Sequence, residues 1–195
     1  NIAVINLTIV EANCTPKEVF TPKIYNKITE ASQLGDGEYI LCMQINNDDD
    51  VYYLENTVKS KPGGKSFAEG IALSSDGKTI TISSEDITNA TWTFASVDGG
   101  YSITPTSNVK AGLGTTNAND GLTCQTTYSG KGWTIDDDQT YNWTLKYNDT
   151  NRYLVVYSIS NPRTYSSAST NANGVFYLYQ LEDNRTALAK PTDLS

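Results

Sequence analysis

Histidine is absent from this chain of 195 residues. Its absence removes the commonest general base, the usual zinc ligand and every nucleophile pair in which histidine activates a serine or cysteine. The three cysteines, Cys14, Cys42 and Cys124, form no Cys-x-x-Cys motif, so they provide no metal-cluster pattern and allow at most one disulfide. Any catalysis would therefore depend on carboxylates, and no cofactor is expected.

Basic charge and long apolar runs are also scarce. The 14 Lys and Arg residues are scattered and outnumbered by 22 Asp and Glu residues, which gives a net charge of −8 at pH 7. A phosphate backbone would repel such a chain on average, so we expect no nucleic-acid partner. No segment approaches the roughly twenty apolar residues that span a bilayer, so we expect no membrane insertion.

The composition has few residues that are typical of helices. It contains 1 Met and 4 Phe against 13 Tyr and 3 Trp, with abundant Thr, Ser, Asn and Gly. Such residues favour short strands joined by polar turns. About eleven or twelve short strands, with turn signals at intervals of roughly eight to twelve residues, follow one another along the chain. The sequence therefore predicts an all-β fold.

A hairpin-sized phrase occurs twice. Residues 77–82 followed by Trp92-Thr93-Phe94 are matched by residues 130–135 followed by Trp143-Thr144-Leu145. The copies lie about fifty residues apart, which is a spacing typical of repeat architectures. A fainter third copy ends on the strand around Phe176. The repeat predicts that Trp92, Trp143 and Phe176 are buried in related positions of a pseudo-symmetric core.

These three units, each with a glycine-rich first hairpin and a final aromatic strand, resemble a β-trefoil of the ricin-type lectin family. The resemblance lies in period and strand rhythm and implies a closed barrel of three repeats. The Gln-x-Trp signature of that family is absent, because Trp92 follows Ala90-Thr91 and Trp143 follows Tyr141-Asn142. A β-sandwich of the jelly-roll type is the alternative, because a period alone does not show how the sheet closes.

The two ends of the chain resemble parts of neighbouring modules. Residues 2 to 10 alternate with period two and resemble the last strand of a bacterial immunoglobulin-like domain, while residues 190 to 195 resemble the start of a fibronectin type III domain. We therefore expect a strand and connector over residues 1–23, the repeated domain over 24–183 and a linker over 184–195. This organisation implies a secreted or surface-displayed multidomain protein of a bacterium of the Bacteroidota type.

Trp133 has no aromatic counterpart at the matching place of the first copy, which holds Thr79 or Ile80, and it follows a glycine-containing loop. An exposed aromatic ring beside acidic and amide groups could stack on a sugar while those groups bind its hydroxyls. We therefore predict a ligand-binding surface at Trp133, with Tyr128, Asp136 and Tyr141 beside it. The alternative, in which Trp133 closes the end of a barrel, remains open.

Two acidic runs are weak candidates for calcium ligands. Asp48 and Asp50 lie in the first run, and Asp136 and Asp138 lie in the second. Calcium takes six to eight oxygen ligands, and neither run has the spacing of an EF-hand loop. Asn and Asp are common turn formers. We therefore interpret both runs as hairpin turns and predict no metal site.

These observations together predict an extracellular, non-catalytic module for carbohydrate binding or adhesion. Its expected partners are a glycan or cell-surface polysaccharide and the adjacent modules of the same polypeptide. One alternative is a purely structural spacer. Another is a glycoside hydrolase domain, which needs two carboxyl groups roughly 5 to 10 Å apart with one of them in an apolar pocket. Most acidic residues of this chain lie in turns, so hydrolysis is the less favoured alternative.

Overall fold

The computed structural model describes residues 21–57, 67–68, 71–82, 89–119, 121–125, 131–158, 162–169 and 172–182. The regular structure of the described residues consists of strands and short 3₁₀ segments such as Ala31–Gln33, so the predicted all-β class is confirmed. The strands are β1 (Lys23–Ile28), β2 (Gly37–Ile45), β3 (Val51–Leu54), β4 (Phe67–Ala68), β5 (Thr79–Ile82), β6 (Thr91–Val97), β7 (Gly100–Pro105), β8 (Gly112–Thr115), β9 (Leu122–Gln125), β10 (Trp133–Asp138), β11 (Asn142–Tyr147), β12 (Arg152–Val155), β13 (Arg163–Tyr165) and β14 (Gly174–Leu181). The strand predicted at residues 2 to 10 and the linker at 184 to 195 lie outside the described residues.

The strands pair throughout in the antiparallel sense. Twelve of them form one sheet in the order β13-β12-β11-β10-β7-β6-β2-β14-β1-β5, with β3 paired to β2 and β4 paired to β3, while β8 and β9 form a separate hairpin. From β6 to β13, neighbouring strands in the sheet have the same order as in the sequence, except that β8 and β9 are not part of this sheet. The first and the last of the described strands lie side by side, because β14 pairs with β2 on one side and with β1 on the other.

β2 lies at the centre of this arrangement because both of its faces are apolar. Tyr39, Leu41 and Met43 are buried in the larger hydrophobic cluster, which also contains all three tryptophans. Ile40 and Cys42, on the opposite face of the strand, are buried in a second cluster with residues of β1, β5 and β14. The sequence predicts this strand correctly, since an unbroken apolar run is typical of a strand covered on both sides.

The sequence did not predict β1. Residues 11 to 23 read as a connector because they contain Pro16 and Pro22, and the next residues show a mixed pattern. In the structure, Tyr25 and Ile28 are buried, while Ile24 and Asn26 are exposed. β1 is held as a strand because it pairs with β14 and β5 together. Tertiary pairing therefore determines this element where local propensity is weak.

The predicted burial of the aromatic core is confirmed. Trp92, Trp143 and Phe176 are only 0%, 1% and 3% exposed. Within the described residues, no helix has the length and apolar character required to cross a membrane.

Candidate functional site

The prediction of an exposed aromatic ring at Trp133 is wrong. Its side chain is 0% exposed, and its indole N–H donates a hydrogen bond to the Leu113 carbonyl at 2.9 Å. The ring also packs against Tyr147 with a centroid distance of 5.1 Å. A fully enclosed indole with its donor already bonded cannot offer a face to a sugar, so the alternative interpretation of Trp133 as a core residue is the correct one.

In the structure, Trp133 and not Trp143 occupies the position equivalent to that of Trp92. The sequence repeat was therefore aligned to the wrong tryptophan. Trp92 aligns with Tyr39 and Trp133 with Tyr101 across the neighbouring strands. The Trp92 indole N–H donates to the Leu54 carbonyl at 2.9 Å, as the Trp133 indole does to Leu113. Trp143 instead aligns with Asp137 in the β10–β11 hairpin.

The sequence contains only an ambiguous signal for the correct alignment. All three tryptophans are followed by threonine and then by an apolar residue, Phe94, Ile135 or Leu145. This phrase alone does not distinguish which pair of tryptophans is equivalent. The glycine-rich phrase before Trp133 favoured the wrong pair, and only the strand pairing resolves the choice.

The other predicted ligand-binding residues do not come together. Tyr128 lies outside the described residues. Asp136 is exposed on β10, and Tyr141 lines a cavity of about 10 Å³ beside Phe176. That volume is near the minimum that one water molecule requires, so the cavity cannot hold a sugar. Whether Asp136 or Tyr141 contacts a ligand stays a prediction.

The first acidic run lies in the turn between β2 and β3, as predicted, but Asp136, Asp137 and Asp138 are the last three residues of β10, so the prediction of a hairpin turn is wrong for the second run. Asp48 accepts hydrogen bonds from the Asp50 amide at 3.0 Å and the Tyr52 hydroxyl at 3.1 Å. Asp138 accepts hydrogen bonds from the backbone amides of Thr140 and Tyr141 at 2.7 and 2.9 Å. Among the residues that the structure describes, there is no cluster of three or more acidic or cysteine side chains that could hold a metal ion.

A larger pocket lies beside one edge of β14, at the point where the two strands along this edge, β11 and β1, separate from each other. The Phe176 amide donates to the Tyr141 carbonyl at 3.1 Å, just before β11, while residues 178 to 181 of β14 pair with β1. The cavity between the end of β1 and the β10–β11 turn has a volume of about 180 Å³. We call it the fork pocket, and its lining consists of Lys27, Ile28, Thr29, Asp137, Asp138, Gln139, Asn142 and Trp143.

The β10–β11 hairpin provides most of the polar lining. Asp137 aligns with Trp143 and Asp138 with Asn142, so these residues meet at the tip of the hairpin. Asn142 adopts a φ of 59°, a left-handed conformation that asparagine tolerates better than most residues. Because Asp138 binds two backbone amides of the turn, this side of the fork pocket has a defined shape.

Lys27 provides the cationic side of the fork pocket. Its ammonium group lies 4.0 Å from the centroid of the Tyr177 ring, a distance that allows a cation–π interaction. The Tyr177 hydroxyl donates to the Gln44 side chain at 2.8 Å and also has a hydrogen bond with the Asn142 side chain. The Tyr177 side chain therefore connects Lys27 on β1 with Asn142 on β11 across the fork.

Partial burial affects the ionisable groups around the fork pocket. Burial lowers the pKa of Lys27, because desolvation disfavours the charged ammonium. Burial also raises the pKa of Tyr177, and the hydrogen bond with Asn142 opposes that shift. Within the described residues, Lys27 forms no salt bridge.

The chemistry of the fork pocket is that of a hydrogen-bonding site. The carboxylates of Asp137 and Asp138 accept hydrogen bonds, the ammonium of Lys27 donates them, and the amides of Gln139 and Asn142 do both. Sugar hydroxyls are both donors and acceptors, and their hydrogen bonds to charged groups are stronger than bonds between neutral groups. This set of groups can bind adjacent hydroxyls from two sides.

Sequence reasoning missed Lys27, Asp137, Gln139 and Asn142 as site residues. The acidic run drew attention to the right hairpin, but the residues of this run that line the pocket are Asp137 and Asp138, at the turn end of β10, and not Asp136. Lys27 could not be found, because it lies on the strand that the sequence did not predict.

No protein-family model matches the sequence, and comparison with curated proteins finds no match. Among solved structures, the chain is similar to a Polyporus squamosus lectin whose crystal structure has the human-type influenza-binding epitope Neu5Aca2-6Galb1-4GlcNAc bound. The TM-score is 0.50 and the identity 14%, and the alignment covers 76% of this chain and 50% of the lectin chain. The chain thus spans about half of that lectin. The similarity shows a shared all-β fold.

Proposed function

We propose that this chain is a non-catalytic carbohydrate-binding module and that the fork pocket is its binding site. The observation that carries the proposal is the pocket itself, which is lined by the acceptors Asp137 and Asp138 together with the donor Lys27. Specific ligand sites place a few polar groups in a concave surface in this way. The similarity in fold to a lectin supports the same conclusion.

The proposed architecture is a β-trefoil. Six strands pair in the order β11, β10, β7, β6, β2 and β14, so β11 and β14 are the two ends of this series. The hydrogen bond from the Phe176 amide to the Tyr141 carbonyl supports closure between β14 and β11. The matched indole bonds of Trp92 and Trp133 support a repeat. A sandwich would leave β11 and β14 apart, so slow hydrogen exchange at the Phe176 amide would favour the trefoil.

The proposed setting is a multidomain bacterial protein, secreted or displayed at the cell surface. The resemblances at the two ends of the chain, to an immunoglobulin-like and a fibronectin type III domain, support this setting. In that context the module would hold a glycan or cell-surface polysaccharide, while adjacent modules supply other activities.

A glycan array probed with the fluorescently labelled chain tests the proposed function. We expect retention of a defined set of glycans by the wild type. Retention should fall at least tenfold in D137N, whereas D136N serves as its matched comparison because it removes the same charge from the adjacent residue, outside the pocket. Loss of binding in D136N but not in D137N would instead support the site predicted from the sequence, and an array without any bound glycan would reject the proposed function.

A further inference from the structure

We infer that the fork pocket accepts a single uncharged sugar unit at the end of a glycan and discriminates against acidic sugars. This inference rests on the proposed carbohydrate-binding function. It concerns the size, the charge and the aromatic surface of the pocket.

The size of the pocket limits the ligand to one sugar unit. Its volume of about 180 Å³ is below the roughly 300 to 1,000 Å³ that is usual for pockets that bind drug-sized ligands. The end of β1 bounds one side of the cavity and the β10–β11 turn bounds the other. A terminal unit or a one-unit branch can enter such a space, whereas an internal unit would have to extend past these walls on both sides.

The charge of the pocket favours an uncharged unit. Two carboxylates, Asp137 and Asp138, line the cavity with one ammonium, Lys27. The chain as a whole has a net charge of −8. A sugar carboxylate would therefore meet more negative than positive charge, both locally and at long range. A neutral sugar avoids that repulsion and can still use all three charged groups for its hydroxyls.

The aromatic residues of the site offer little stacking surface. Trp143 lines the cavity but is only 1% exposed. The Tyr177 ring faces the ammonium of Lys27 at 4.0 Å, so that part of the ring is already covered. Recognition must then come mainly from hydrogen bonds to hydroxyl groups, which makes the number and orientation of the hydroxyls decisive.

A pair of ligands that differ only at one carbon provides the test. Methyl β-glucoside and methyl β-glucuronide share a ring, but the second carries a carboxylate where the first carries a hydroxymethyl group. Ligand-detected NMR titrations would measure both compounds, together with the corresponding galactose pair, against the wild type, D137N, K27M and the control D149N. Asp149 is an exposed carboxylate in the turn between β11 and β12, away from the pocket lining.

We expect at least one neutral glycoside to bind the wild type and D149N at least tenfold more tightly than its uronide. K27M should weaken neutral binding, because it removes a donor. D137N should weaken the binding of the neutral glycoside, because it removes a hydrogen-bond acceptor. The same substitution should strengthen the binding of the uronide, because it also removes a negative charge. These opposite directions separate a binding effect from a loss of folding, which would weaken both ligands.

Tighter binding of the uronide by the wild type, lost in K27M, would overturn the inference in favour of an anion site. Neutral binding that is equal in D137N and D149N would overturn the assignment of the pocket, while carbohydrate binding itself would still stand. If the glycan array and every titration show no binding, the proposed function fails together with this inference.

Discussion

At the scale of single residues, the two matched indoles show how a polar atom fixes an aromatic side chain in a core. Trp92 and Trp133 are fully enclosed, and each N–H has a backbone carbonyl as its acceptor. A buried donor without a partner costs about 1 to 3 kcal/mol, so the position of each acceptor restricts the ring to one orientation. These bonds also hold the β3 and β8 strands, which carry Leu54 and Leu113, against strands β6 and β10.

Replacing Trp133 by Ala should lower the free energy of unfolding by about 3 to 5 kcal/mol, because it removes a large side chain from a packed core. Trp133→Phe should fall between this variant and the wild type, since it keeps a ring but leaves the Leu113 carbonyl without its donor. Urea unfolding followed by circular dichroism measures both changes. Trp92→Ala is the matched comparison and should lose a similar amount. A loss below about 1 kcal/mol at Trp133 would be typical of a surface residue and would contradict the core assignment.

The burial of the tryptophans also shows what a sequence can predict about a site. Burial of Trp92 and Trp143 follows from their place in apolar, alternating strands. The orientation of Trp133 does not follow from its local sequence, because Leu113, its hydrogen-bond acceptor, lies 20 residues earlier in the chain. The residues of the fork pocket share this limit, since Lys27 and Asn142 meet only when β1 and β11 lie beside the same strand.

At the scale of elements, strand existence was largely predictable and strand pairing was not. β2, β6, β10 and β11 follow from alternation or from unbroken apolar runs bounded by turn residues. β1 was not predicted from the sequence, because its stability comes from two partner strands that are distant in sequence, β14 and β5. The tight turn before β7 was predictable only in part. Its glycines mark a turn in the sequence, but the reason for two successive glycines is visible only in the structure.

Gly100 begins β7 and packs closely against β10. Its φ of 146° lies in a region that L-residues rarely adopt, and a Cβ there would overlap the Trp133 carbonyl. Gly100→Ala should therefore destabilise the protein by more than the roughly 1 to 3 kcal/mol that backbone strain alone costs. Gly35→Ala is the control, since a Cβ at Gly35 would meet nothing within 4 Å. Thermal unfolding of both variants measures the difference, and equal melting temperatures would show that the β7–β10 contact is looser than described.

At the scale of the whole molecule, two hydrophobic clusters lie on opposite faces of the same strands. β2 contributes Leu41 and Met43 to the larger cluster and Ile40 and Cys42 to the smaller one. β14 likewise contributes Leu178 to the larger cluster and Tyr179 to the smaller one. Neither cluster can lose its packing without exposing one face of these shared strands. The two clusters should therefore unfold together, as is usual for a single cooperative domain.

The distribution of tryptophans makes this cooperativity measurable. All three indoles belong to the larger cluster, so their fluorescence reports on that cluster alone. Ile80 is fully buried in the smaller cluster, and Ile80→Ala should cost about 2 to 5 kcal/mol. If the shared strands couple the clusters, this substitution should lower the urea midpoint seen by tryptophan fluorescence as much as the midpoint seen by far-ultraviolet circular dichroism. A fluorescence midpoint that stays at the wild-type value, while circular dichroism shows an earlier transition, would mean that the β1–β5 side unfolds on its own.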